Sequence, residues 1–143
     1  MPPWASISLS AAVLIAGHYM LLRAASGRVG DTLGALVLEV SAALGIAFYY
    51  AVSPRDPVPT TRAGVVFAAL SGLCISGASI LLFGALRKGG PVAATGTIVL
   101  GGGVALSALA APLFFGETFT LRRAVGVALG LAAMAVLSTE RAP

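Results

Sequence analysis

A chain of 143 residues that is 58% hydrophobic and only 10% charged lies far from soluble domains, in which about 25% of residues carry charge. It reads as an integral membrane protein with too little polar sequence for a second, soluble domain. The net charge of +4 does not mark a nucleic-acid binder, because the nine Lys and Arg residues are scattered through short connections without a basic-aromatic patch and read instead as interface anchors.

The expected fold class is all-α, with five transmembrane helices at about 4–22, 32–52, 63–86, 92–115 and 120–138 in a single domain, 1–143. The first span opens with Trp4, whose amphipathic ring suits the interface. The segment MPPWASISLS lacks the basic stretch of a secretory signal, so this span is expected to remain in place. Near its end stand His18 and Tyr19, about four residues or ~6 Å inside. The connection AASGRVGD has turn chemistry in Gly27 and Gly30, and Asp31 or Thr32 is placed to cap the second helix.

That second helix holds Glu39, the one carboxylate inside a long apolar run. A buried acid there is costly unless neutral, paired or wet, and such residues mark ion or substrate paths. On a helical wheel Glu39 shares a face with Thr32, Ala35, Leu36, Ala42, Ala43, Ile46 and Tyr50. The small side chains let another helix approach, which places Glu39 toward the bundle interior. It descends from the same membrane face as His18, and the two are expected to meet. The alternative is a protonated Glu39 that only hydrogen-bonds a neighbouring helix.

Residues 53–62, SPRDPVPTTR, contain three prolines and form the longest loop, with Thr60 or Thr61 as a cap for the third span. That span presents Gly72, Ser76, Ser79 and Phe83 as one stripe, read as helix packing. Its Cys74, alone in the chain, reads as a small buried hydrophobe. Pro91 suits the first turn of the fourth span. Within that span Gly101, Gly102 and Gly103 lower helix propensity by up to ~3 kcal/mol relative to alanine. They predict either a weak point near mid-membrane or close packing against another helix. Thr120 caps the last span, in which Gly126 and Gly130, continued by Ala133, form a GxxxG contact face.

With five spans, one membrane face carries Arg55, Arg62, Arg122 and Arg123, and the other Arg23, Arg28, Arg87, Lys88 and Arg141. So even a balance gives little orientation signal. It points to insertion both ways and an antiparallel homodimer, which would reproduce the inverted repeat of many transporters.

The stretch from Ala85 onward resembles the closing helices of an EamA-type repeat of the drug/metabolite transporter superfamily. The likeness rests on Gly90 and Pro91 before a span ending in Gly116 and Glu117, then Thr120 and Leu121, then the spaced Gly126 and Gly130. The five-span length is similar to the single-repeat, bacterial/archaeal transporter branch. The resemblance implies secondary transport of a small metabolite or cation across a bacterial or archaeal inner membrane, without cofactor or metal. The related small multidrug resistance proteins carry their coupling glutamate in the first of four spans, so mechanism does not transfer residue by residue. Glu117 reads as an interfacial or capping residue.

The expected activity is proton-coupled carriage through Glu39 by alternating access, with His18, Tyr19, Ser41, Tyr49 and Tyr50 lining the path and the lipid bilayer and a small-molecule substrate as partners. The alternative is a non-transporting membrane subunit that pairs with another integral membrane protein. An enzyme is not expected: the chain has one His, one Cys and no nucleophile-base or metal-ligand spacing.

Overall fold

A computed structural model describes residues 3–54 and 58–139. Arg55 and Arg141 of the charge balance lie outside the described residues, as do Met1 and Pro2. The described chain is all-helical: α1 Pro3–Ala25, α2 Asp31–Val52, α3 Arg62–Arg87, α4 Val92–Phe115 and α5 Leu121–Leu137. The first four are long and apolar enough to cross a membrane. With 17 residues, α5 falls at the lower limit of the ~17–25 needed, and Arg122 and Arg123 occupy its first turn.

Each boundary has a local cause. Gly27 holds φ at +79°, a conformation that suits glycine, in the turn closed by the Arg28 amide donating to the Ala25 carbonyl at 3.0 Å. Thr61 caps α3, its hydroxyl accepting from the Gly64 amide at 3.1 Å. Thr120 does the same for α5 at 3.2 Å from the Arg123 amide. Gly116, at φ +63°, ends α4 in the left-handed conformation common one step past a helix. Two expected caps are corrected. The N-cap of α2 is Gly30 with no side-chain bond, because the Asp31 carboxylate is engaged by Arg87 instead. Pro91 takes the N-cap position of α4 rather than its first turn.

Inside the helices, hydroxyls turn back on their own backbone. Ser8 donates to the Trp4 carbonyl at 2.9 Å, Ser10 to Ser6 at 3.1 Å, Ser76 to Gly72 at 3.0 Å and Ser107 to Val104 at 3.0 Å. In a medium without water this satisfies a polar group within its own helix. Cys74 is exposed on α3, not buried as its apolar setting suggested.

The chain divides into two compact units, Met1–Leu21 with Lys88–Pro143, and Leu22–Arg87. In the first, α4 packs on α5. The glycine run does not break α4, which continues through Gly101, Gly102 and Gly103. Backbone bonds that cannot be traded for water outweigh the propensity cost. A Cβ at Gly101 would lie 3.4 Å from the Met134 sulfur and one at Gly102 3.3 Å from the Met134 methyl, so these two glycines seat Met134 of α5. The GxxxG face of α5 is not that joint: Gly126 and Ala133 are exposed, and nothing lies within 4 Å of a Cβ built at Gly126 or Gly130. The long Met134 side chain reaches the hollow on α4 and turns the Gly126 side of α5 outward. On α1, the buried Tyr19 ring lies 3.4 Å from a Cβ built at Gly96 of α4.

In the second unit α2 and α3 form an antiparallel hairpin. Arg87 grips Asp31 with two nitrogens, Nε at 2.9 Å from Oδ1 and an η nitrogen at 2.8 Å from Oδ2. One layer inward, Phe83, 3% exposed, rests on Gly34, where a Cβ would come within 2.7 Å of the ring. Arg23 at the end of α1 donates to the Leu86 carbonyl at 2.6 Å.

Candidate functional site

Glu39 is half-buried, and its Oε1 accepts a hydrogen bond from the Ser79 hydroxyl at 2.7 Å. Ser79 is buried. Whereas Ser76, three residues earlier, bonds its own helix, Ser79 crosses to α2 because a carboxylate is the stronger acceptor. Glu39 stands eight residues inside Asp31, and Ser79 eight residues inside Arg87, a depth of ~12 Å at 1.5 Å per residue. The terminal ion pair thus sets the register that brings the acid and the hydroxyl together. No ion pair to Glu39 occurs among the described residues.

The other expected site residues are distributed as follows. Tyr49 and Tyr50 lie on α2 and line a cavity of about 1000 Å³ between the end of α2 and the start of α3. Ser41 is exposed, two residues on from Glu39 and therefore turned well away from its face. His18 and Tyr19 belong to the first unit and Glu39 to the second. The described partner of His18 is Tyr19, the rings meeting edge-on at 5.5 Å and 80°. Gly101, Gly102, Gly126 and Gly130 are in the first unit, with Gly103 open to its surroundings.

Sequence reasoning had Ser79 on a packing stripe and did not connect it with Glu39. The signal was present: opposite charges at Asp31 and Arg87, on helix ends that share one membrane face, fix an antiparallel register, and equal steps inward reach Glu39 and Ser79. Arg123 pairs with Glu117, which is consistent with an interfacial role for that acid.

Fold and site together define an α-helical protein with four helices suited to crossing a membrane and a hydrogen-bonded carboxylate inside one of them. No family model matches the chain, and no curated protein or solved structure does so either.

Proposed function

We propose that the chain is the protomer of a secondary transporter for a small metabolite or cation, with Glu39 exchanging a proton as cargo crosses. The observation that carries this reading is the state of Glu39 itself: an acid ~12 Å inside a span, held by one hydroxyl and half-exposed. A carboxylate kept only to fasten two helices needs no free surface, whereas a carrier's carboxylate must reach both proton and cargo. The EamA-like features of the last third and the near-equal loop charges support an antiparallel homodimer in which two five-helix protomers complete a ten-helix inverted repeat in a bacterial or archaeal inner membrane.

The test is accumulation of a panel of labelled amino acids, amines and sugars in proteoliposomes under an imposed pH gradient. Gradient-dependent accumulation that disappears in Glu39→Gln supports the carrier. Equal accumulation by Glu39→Gln contradicts the coupling role, and no accumulation of any probe favours the alternative, a non-transporting subunit paired with another membrane protein. A C-terminal reporter active on only one membrane face would remove the antiparallel dimer and leave the carrier standing.

A further inference from the structure

Between α1 and α4, both in the first unit, runs a groove of about 520 Å³ whose described lining comes from these two helices. Ala12, Ile15 and Ala16 form much of one wall, and Ala93, Gly96 and Leu100 much of the other. Three hydroxyls border it, and they differ. Ser8, at the end nearer Trp4, donates to the Trp4 carbonyl of its own helix at 2.9 Å. Tyr19 and Thr97, at the end where α1 finishes and α4 begins, make no side-chain hydrogen bond among the described residues. Tyr19 is 7% exposed, and the edge of its ring as far as Cζ lies on Gly96, with Cζ 3.6 Å from a Cβ built there. A phenol is too long to turn back onto its own backbone as a serine does, so the partner of its hydroxyl has to come from outside α1. The oxygen is not sealed off: among the described residues the enclosed side-chain atoms without a partner are Ser26 Oγ and Arg123 Nη1. Thr97 turns its methyl toward Gly101, 3.9 Å from a Cβ built there. Two unbonded hydroxyls thus stand at one end of a slim apolar groove.

We propose that this groove holds one acyl chain of an ester-linked phospholipid, with the Tyr19 and Thr97 hydroxyls donating to its ester carbonyl. Size argues against a helix as the occupant. The groove follows α1 from Ser8 to Met20, a length of ~18 Å at 1.5 Å per residue. Spread over that length, about 520 Å³ leaves a mean cross-section of ~30 Å², whereas a helix ~10 Å across fills ~80 Å². A hydrocarbon chain is far slimmer. The length also suits one leaflet, since half of a ~30 Å hydrocarbon core is ~15 Å. Polarity then sets which way the chain lies. Gly96 and Thr97 stand four and five residues inside Val92, ~6–8 Å below the start of α4, and the acceptors of a phospholipid tail are at its ester end, next to the headgroup. A buried hydroxyl in a medium without water calls for an acceptor, and the ester supplies one. Lys88, exposed four residues before Val92 in the same unit, adds a cation on the membrane face where the phosphate belongs. Glu39 is in the other unit, so this site stands or falls apart from the transport reading.

The test places the full chain in liposomes of ether-linked phospholipid containing a trace of ester-linked phosphatidylglycerol with a diazirine midway along one chain. After illumination, the labelled residues are mapped by mass spectrometry. Val13 and Leu14, exposed at 73% and 76% and outside the groove lining, report on lipid at the general surface at the same depth. The expected result is labelling of residues 12, 15 and 16 at least about fivefold above residues 13 and 14, because the carbene marks what it touches. Unlabelled ester-linked phosphatidylglycerol should compete about threefold to tenfold better than its ether-linked analogue, the preference that one hydrogen bond confers. Ala16→Phe, which puts a ring into the groove, should lose the selective labelling, and Tyr19→Phe combined with Thr97→Val should lose the ester preference. Even labelling of residues 12–16 would mean surface lipid only, and equal competition by the two lipids would mean that the hydroxyls do not read the ester. A disulfide between two copies of Ala12→Cys in a Cys74→Ser background would mean that a second chain fills the groove. Each of these three results overturns the proposal. The ester-to-ether comparison is made on the wild type, so a variant that fails to fold does not shield it.

Discussion

The two helix joints of this protein are made from different materials. The α4–α5 joint has Met134 lying over Gly101 and Gly102, an apolar fit of a flexible chain into a glycine hollow. The α2–α3 joint has a ring on a glycine, an ion pair and a hydroxyl-to-carboxylate bond within one half of the hairpin. Membrane helices can associate by close packing alone, as α4 and α5 do, so the polar groups of α2 and α3 are not required merely to hold two helices together. Their concentration around Glu39 is what supports the proposed role of that joint.

Four substitutions break or sharpen this contrast. The largest effect is expected from Glu39→Gln, which should abolish gradient-driven accumulation while leaving the hairpin folded, since an amide can still accept the Ser79 bond; circular dichroism and proteoliposome uptake read the two parts. Next is Gly34→Ala, whose methyl would meet the Phe83 ring at 2.7 Å. Overpacking of that kind costs ~1–3 kcal/mol, and it should lower the unfolding temperature in detergent. Adding Phe83→Leu should restore part of the loss. Ser79→Ala removes one interhelical hydrogen bond, worth ~0.6–1.7 kcal/mol inside membranes, and denaturant titration should find a loss of that size. The smallest change belongs to the outward face of α5, away from its joint with α4. Gly126→Ala meets nothing within 4 Å and gains about 0.5–1 kcal/mol of helix preference, so the same titration should show no loss. A clear loss there would mean that the outward GxxxG face is buried in an assembly.

Much of this architecture was readable in the residues. The five helices follow from apolar runs bounded by Gly, Pro and charge, and Thr61 and Thr120 cap as their positions suggest. Glu39 stood out because an acid in an apolar run is costly. Its partner did not, because Ser79 looks the same whether it bonds its own helix, as Ser76 does, or crosses to the next. Of the two readings of the glycine run, the weak point did not appear, because propensity measured in water overstates the weakness of a helix whose backbone has no solvent to bond, whereas close packing against another helix did, at Met134. The GxxxG spacing was equally ambiguous, since two glycines mark a surface open to close approach without saying which helix approaches, and here Met134 settled the joint one face away. That Asp31 pairs with Arg87 rather than capping α2 reflects a similar competition, a bidentate guanidinium against backbone amides for one carboxylate.

The reading of Glu39 as a proton-exchanging group is tested most directly by a pH-sensitive dye trapped in proteoliposomes while each probe of the panel is added outside. An internal pH change that accompanies uptake in the wild type and is missing in Glu39→Gln is the predicted result. Uptake with no pH change, or the same pH change in both proteins, would contradict it.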